Sequence, residues 1–231
     1  MTSSLETLEK IIGTAFADKD LLREALTHRS YLNERPHAAA AHNERLEYLG
    51  DAVLELAVSE ELFRRFPDFP EGQLTVLRAA LVNYQRLATV ALDIGLEKHI
   101  RMSRGEARDT GKAREVILAN AFEAVVGALY LDRGFNAVAA FIKKFVFAYL
   151  EEIMATRSYK DAKSELQELA QDVHKVTPTY RTLTETGPAH KRTFTVGVYF
   201  GEKQIAEGTG ASKQEAETEA ARAALAHLRK K

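Results

Sequence analysis

The hydrophobic period of the chain changes near residue 156, and this change restricts it to two kinds of packing in series. Before it, apolar residues recur at spacings of three and four, as in Leu46, Leu49, Val53 and Leu56, in Leu77, Leu81 and Tyr84, and in Phe122, Val125, Val126 and Leu129. That recurrence is the stripe of an amphipathic helix. Breakers fall between such segments at Pro36, Pro67, Pro70, Gly72, Gly95, Gly105, Gly111 and Gly134. Residues 4–155 therefore read as an all-α domain, whose first helix is expected over Leu5–Phe16.

After the polar stretch Thr156–Asp161 the reading is helix, three strands, helix. Ser164–Val173 is helical, Thr179–Glu185 is strand-like and closes on Gly187-Pro188, and Phe194, Val196, Val198 and Phe200 alternate with more polar neighbours, the period of a half-buried strand. A short strand Gln204–Glu207 precedes Gly208 and Gly210, and Ser212 is placed to cap an alanine-rich helix that runs to about Leu228. The expected fold is an all-α N-terminal domain followed by a small α+β (α-β-β-β-α) domain at 160–230.

A length of 231 residues is enough for two separate cores. The absence of cysteine excludes disulfides, thiolate zinc sites and cysteine nucleophiles, and no apolar run approaches the ~18 residues of a membrane span. A soluble cytoplasmic protein is the expectation. The net charge of −1 looks unfavourable for a nucleic-acid partner, but it is a sum of opposites. Residues 1–155 hold 19 Lys/Arg against 23 Asp/Glu, and residues 156–231 hold 13 against 10.

The acidic residues of the first half are patterned. In NERLEYLGD, Asn43–Asp51, a turn of roughly 100° per residue puts Glu44, Glu47 and Asp51 on one side of a helix and Leu46, Leu49 and Val53 on the other. A solvated acidic face would look the same. The second segment, VILANAFEAVVGALYLD, carries Asn120 and Glu123 one turn apart on a face shared with Gly127, inside the longest hydrophobic stretch of the domain. A carboxylate there is costly unless a cation or hydrogen bonds compensate it. If the two helices pack face to face, Glu47, Asp51, Asn120 and Glu123 offer only oxygen ligands, which suit Mg²⁺ or Mn²⁺ and not zinc.

Other motifs fail. Gly105–Lys112 has five residues between its glycines where a phosphate loop has four, and Ala113 stands where Ser or Thr would hold magnesium. HExxH, GxSxG and a His-Asp dipeptide are missing. His28, His37, His42 and His99 read as structural or solvent-exposed.

At these segments the sequence resembles bacterial ribonuclease III. NERLEYLGD is similar to that family's signature, ALTHRSY at 25–31 to its upstream helix, and residues 116–132 to its second acidic segment, while the α-β-β-β-α half resembles a double-stranded RNA-binding domain. The resemblance implies a Mg²⁺-dependent endonuclease of double-stranded RNA that leaves 5′-phosphate and 3′-hydroxyl ends, with Mn²⁺ able to substitute. It implies processing of ribosomal and other structured precursors. Glu47, Asp51 and Glu123 are implied as metal-site carboxylates, with Asp51 and Glu123 central to catalysis. Glu44 and Glu71 match accessory acidic positions at a subunit boundary. Asn120 falls where many members have aspartate, and Tyr48 where an aromatic plugs the dimer interface. One acidic cluster per chain suits a homodimer in which each subunit cuts one strand.

By the same resemblance Ser164 and Gln167 face one RNA minor groove, His190 reaches the next, and Lys213 meets the intervening phosphates at a helix N-terminus. Gln214 and Glu217 lie where lysines commonly sit, so phosphate attraction through this helix is expected to be weak. A basic segment, Arg101, Arg104, Arg108, Lys112 and Arg114, is either a solvated loop or a guide for RNA phosphates. The alternative to an enzyme is a non-catalytic double-stranded RNA-binding relative, which Asn120 favours and the intact Glu47, Asp51 and Glu123 oppose.

Overall fold

The computed structural model describes residues 2–35, 41–156, 162–188 and 192–228. It divides into two compact units, Met1–Tyr159 and Lys160–Lys231. The first is helical: α1 (Thr2–Ile12), α2 (Lys19–Ala25), α3 (Arg29–Glu34), α4 (Glu44–Arg65), α5 (Glu71–Val82), α6 (Tyr84–Asp93), α7 (Lys112–Arg133), α8 (Phe135–Phe145) and α9 (Leu150–Thr156). The first helix ends four residues earlier than its pattern predicts. Gly13 adopts φ +87°, a left-handed conformation open to glycine without steric penalty. The following loop turns Phe16 into the core, where its N–H donates to the buried Glu9 carboxylate at 2.6 Å.

Helix α7 is the centre of this unit. From Ile117 to Leu129 its residues are buried apart from Asn120 and Glu123, as expected of a helix that is apolar almost all round and packed on every side. Helices α2, α4, α6 and α8 all pack on it. Phe122 is fully buried and stacks on Phe141 of α8 at 5.5 Å between centroids. In α4 the core face is Leu46, Gly50, Val53, Leu54, Ala57, Val58 and Leu62. Leu56, expected on that face, is 58% exposed, because the core stripe turns through Val53, Leu54 and Ala57 and leaves residue 56 on the far side.

The second unit has α10 (Ala162–Leu169), continued as a π-helical turn over Ala170–His174, then β1 (Pro178–Thr186), β2 (Thr193–Phe200), β3 (Lys203–Gly210) and α11 (Lys213–Leu228). The strands form an antiparallel sheet in the order β1-β2-β3. β3 is longer than the alternation of Gln204–Glu207 predicts, because Gly208 and Gly210 remain in the sheet and let α11 close on it. A Cβ at Gly208 would lie 2.1 Å from the Ala220 amide nitrogen, and one at Gly210 2.6 Å from that of Ala216. The Ala216, Ala220 and Ala224 face of α11 fits that narrow gap. Ser212 caps the helix as expected, accepting from the Glu215 N–H at 3.2 Å, while the Glu215 carboxylate accepts from the Ala211 N–H at 2.8 Å.

Candidate active site

Two glycines decide where the acidic residues meet. A Cβ on Gly50 of α4 would sit 1.8 Å from the Glu123 carbonyl oxygen, and one on Gly127 of α7 would sit 2.2 Å from that of Leu46. Both positions are closed to any side chain, so the two backbones touch and the side chains beside the glycines are brought near one another along the edge of the seam. Those are Glu47 and Asp51 on α4 and Asn120 and Glu123 on α7.

The electrostatics record that proximity. Burial, then the Asp51 and Glu47 carboxylates, push the Glu123 carboxyl up to about 8. Burial also raises Glu47, helped by Glu44 and Asp51, while a hydrogen bond from the Asn120 side chain lowers it. The amide at 120 therefore serves Glu47 as a donor, a role an aspartate could not fill when ionised. Glu44, at the start of α4, accepts from Arg29 at 3.2 Å and adds its charge to the field on Glu47.

Among the described residues no three His, Asp or Glu side chains already converge on one point. The donor set nonetheless fits a hard divalent cation. Its atoms are all oxygens, as Mg²⁺ and Mn²⁺ prefer, and the raised carboxyls of Glu47 and Glu123 show a partly buried repulsion that a cation would relieve.

Glu71 stands apart from this cluster. It opens α5, accepts from Thr75 Oγ1 at 2.9 Å, and lines a groove of about 430 Å³ with Leu56 and Phe63. Tyr48 points outward and is 83% exposed. The basic segment also divides. Arg101 is structural, donating to the Arg23 carbonyl at 2.8 Å, and Arg114 lies against Met102 and Glu97. Arg104 and Arg108 are exposed. His28 caps α3 by accepting from the Ser30 N–H at 3.3 Å, and His37 is outside the described residues.

In the second unit Ser164 and Gln167 are exposed on α10, and Lys213 is exposed in the first turn of α11. His190 is outside the described residues. Sequence reasoning missed Glu217's partner: its carboxylate accepts from Lys163 Nζ at 2.5 Å. It also missed Gly50, although a glycine inside an amphipathic helix is a usable signal of close packing.

A helical unit with a carboxylate seam, joined to an α-β-β-β-α unit with exposed polar helices, defines a nuclease with its own nucleic-acid-binding domain. Residues 18–150 match the family model described as Ribonuclease-III-like, and residues 162–228 match the double-stranded RNA binding motif. The chain belongs to the ribonuclease III family. It is 48% identical over 214 residues to Ribonuclease 3 of Symbiobacterium thermophilum, covering 93% of this chain and 90% of that one. It is 46% identical to Ribonuclease 3 of Carboxydothermus hydrogenoformans, covering 98% and 96%. The solved nuclease domain of ribonuclease III from Campylobacter jejuni superposes with a TM-score of 0.57 at 41% identity, covering 62% of this chain and 96% of that one.

Proposed function

We propose that this chain is a Mg²⁺-dependent endoribonuclease that hydrolyses double-stranded RNA to 5′-phosphate and 3′-hydroxyl ends and processes ribosomal and other structured precursors in the cytoplasm. Residues 4–155 form the nuclease and dimerisation domain and 160–230 the RNA-binding domain. The observation that carries the reading is the glycine-closed seam that sets Glu47 and Asp51 beside Asn120 and Glu123, in a chain that also matches the RNA-binding motif.

Glu47, Asp51, Asn120 and Glu123 would hold the cation. Magnesium bound there supplies a lowered water pKa and neutralises charge on the scissile phosphate. Within the chain, Asp51 and Glu123 direct their carboxylates at the same edge, where one can orient a water for attack. The Asn120 amide favours the charged form of Glu47.

A homodimer completes the enzyme. Tyr48, Leu56 and Phe63 are 83%, 58% and 71% exposed and lie within an arc of roughly 80° along α4. Such a stripe is unusual on a monomer surface and suits a second copy. The Campylobacter jejuni nuclease domain likewise has a region involved in dimer formation. Glu71, beside Leu56 and Phe63 in the α4–α5 groove, then stands at the subunit boundary.

The test is cleavage of a long RNA duplex in Mg²⁺ by the parent and by Asp51→Asn, with sedimentation of both. A dimeric parent that cuts and a dimeric variant that does not are expected. Full activity in the variant refutes the site, an active monomer refutes the dimer, and duplex binding without cleavage in the parent supports the non-catalytic alternative.

A further inference from the structure

Two helices carry the residues proposed to meet RNA, and an ion pair bridges them. Lys163, next to Ser164 on α10, donates from Nζ to Glu217 Oε2 of α11 at 2.5 Å. The same Nζ lies 4.9 Å from the centre of the Tyr180 ring. Both side chains stay about one-third exposed, 34% for Lys163 and 29% for Glu217, so solvent and ligand can reach the pair. Glu217 also follows Lys213 by one helical turn, which places its carboxylate on the same side of α11 as that lysine. Lys213 Nζ sits 5.9 Å over the Phe194 ring.

Besides Lys163, three of the seven described Lys/Arg of this unit are held in ion pairs. Arg181 pairs with Glu202, Arg192 with Glu185 and Arg222 with Glu219. The described residues from 162 onward hold seven Lys/Arg against nine Asp/Glu, and the surplus of positive charge over 156–231 comes from residues outside them. Near Ser164, Gln167 and Lys213 few lysine ammoniums are at hand, and one carboxylate pairs with Lys163 and follows Lys213 by one helical turn.

We infer that Glu217 limits RNA affinity: its carboxylate competes with duplex phosphates for Lys163 and weakens the pull of Lys213. The inference rests on the reading of this unit as an RNA-binding domain. A phosphate that takes Lys163 must displace a carboxylate already in place, and that carboxylate then stands near the phosphate with like charge. The ion exchange releases one counterion fewer than a lysine in open solvent would. The enzyme gains quicker release of cut duplex, and a greater share of the grip passes to contacts made outside this helix pair.

Glu217→Gln keeps the shape and a carbonyl acceptor for Lys163 but removes the charge. With the full chain in chelator, so that RNA stays intact, binding is measured against salt on a duplex longer than the roughly 16 base pairs such a domain covers. The expected result is binding about threefold to tenfold tighter at low salt and a log–log salt dependence steeper by about one. Adding Lys163→Gln to Glu217→Gln should restore the parent slope. If the pair only staples α10 to α11, Glu217→Gln lowers the melting temperature and leaves the slope unchanged, which overturns the inference. A parent that binds no duplex at any salt overturns the RNA-binding reading together with it.

Discussion

The nuclease unit keeps its proposed catalytic side chains at the edge of a seam between two core helices, whereas the RNA-binding unit carries its proposed contact residues on helix faces turned away from the core. In α7, Asn120 and Glu123 interrupt a run whose neighbours are almost fully buried. In α11, the Ala216, Ala220, Ala224 face packs on β3 while Lys213 stays exposed. The difference teaches that stability and function are bound together in the first unit and separable in the second. A buried seam can hold charge only by tolerating its cost, while an exposed face can exchange charges with little effect on the fold.

The sharpest way to break this contrast is Gly50→Ala or Gly127→Ala. Each new methyl would overlap backbone atoms of the facing helix, and overpacking costs about 1–3 kcal/mol, more where backbone must shift. Thermal melting should show the nuclease unit lost while duplex binding through residues 162–228 persists. Simultaneous loss of both would deny the independence of the units.

Glu123→Gln comes next. Cleavage should fall about a hundredfold or more, since even an outer partner of a metal site is worth 10- to 100-fold. In chelator the variant's melting temperature should match or exceed the parent's, because the amide replaces a carboxyl that burial, Asp51 and Glu47 make costly to ionise in the fold. A marked drop in melting temperature would mean that Glu123 stabilises the fold instead of burdening it.

In the second unit Gln167→Ala should weaken duplex binding by about fivefold, the loss of a hydrogen bond worth about 1 kcal/mol. The melting temperature and salt slope should not change, because the side chain is exposed and neutral. The smallest effect is expected from Asp132→Asn, at the far end of α7. There the carboxylate accepts from the N–H groups of Ala17 at 2.9 Å and Asp18 at 2.8 Å. Burial pushes this carboxyl up, but those N–H groups and Arg133 outweigh it and hold it below the usual aspartate range. A depressed carboxyl stabilises the fold above the unfolded range near ~3.9, and that contribution fades as pH falls through the folded value. The variant should lose about 1 kcal/mol at neutral pH, converge with the parent in acid, and cleave normally. Impaired cleavage would extend the coupling of fold and site along the whole helix.

Much of this was legible in sequence because periodicity is local. The switch from a 3.6-residue to a 2-residue period marks where helices give way to strands, and the Ser212 cap and the apolar stripe of α7 lie where their residues predict. The acidic residues were identifiable as types at helical spacing. Less legible were features that depend on a neighbour far along the chain. Leu56 fits the apolar pattern of α4 and yet is exposed, because a helix pattern several residues wide does not say which edge meets the core. The end of α1 at Gly13 depended on a backbone angle that the apolar run through Phe16 conceals.

By itself, then, the amino-acid sequence determined an all-α half, an α-β-β-β-α half, and a supply of oxygen ligands with no sulfur among them. The tertiary structure decided that Gly50 and Gly127 bring α4 and α7 into backbone contact, so that Glu47, Asp51, Asn120 and Glu123 share one edge. It also decided that Glu217 faces Lys163 across two helices. The reason is physical: a sequence period fixes which side of an element is apolar, whereas the partner of that side and the closeness of approach are set by packing between segments distant in the chain.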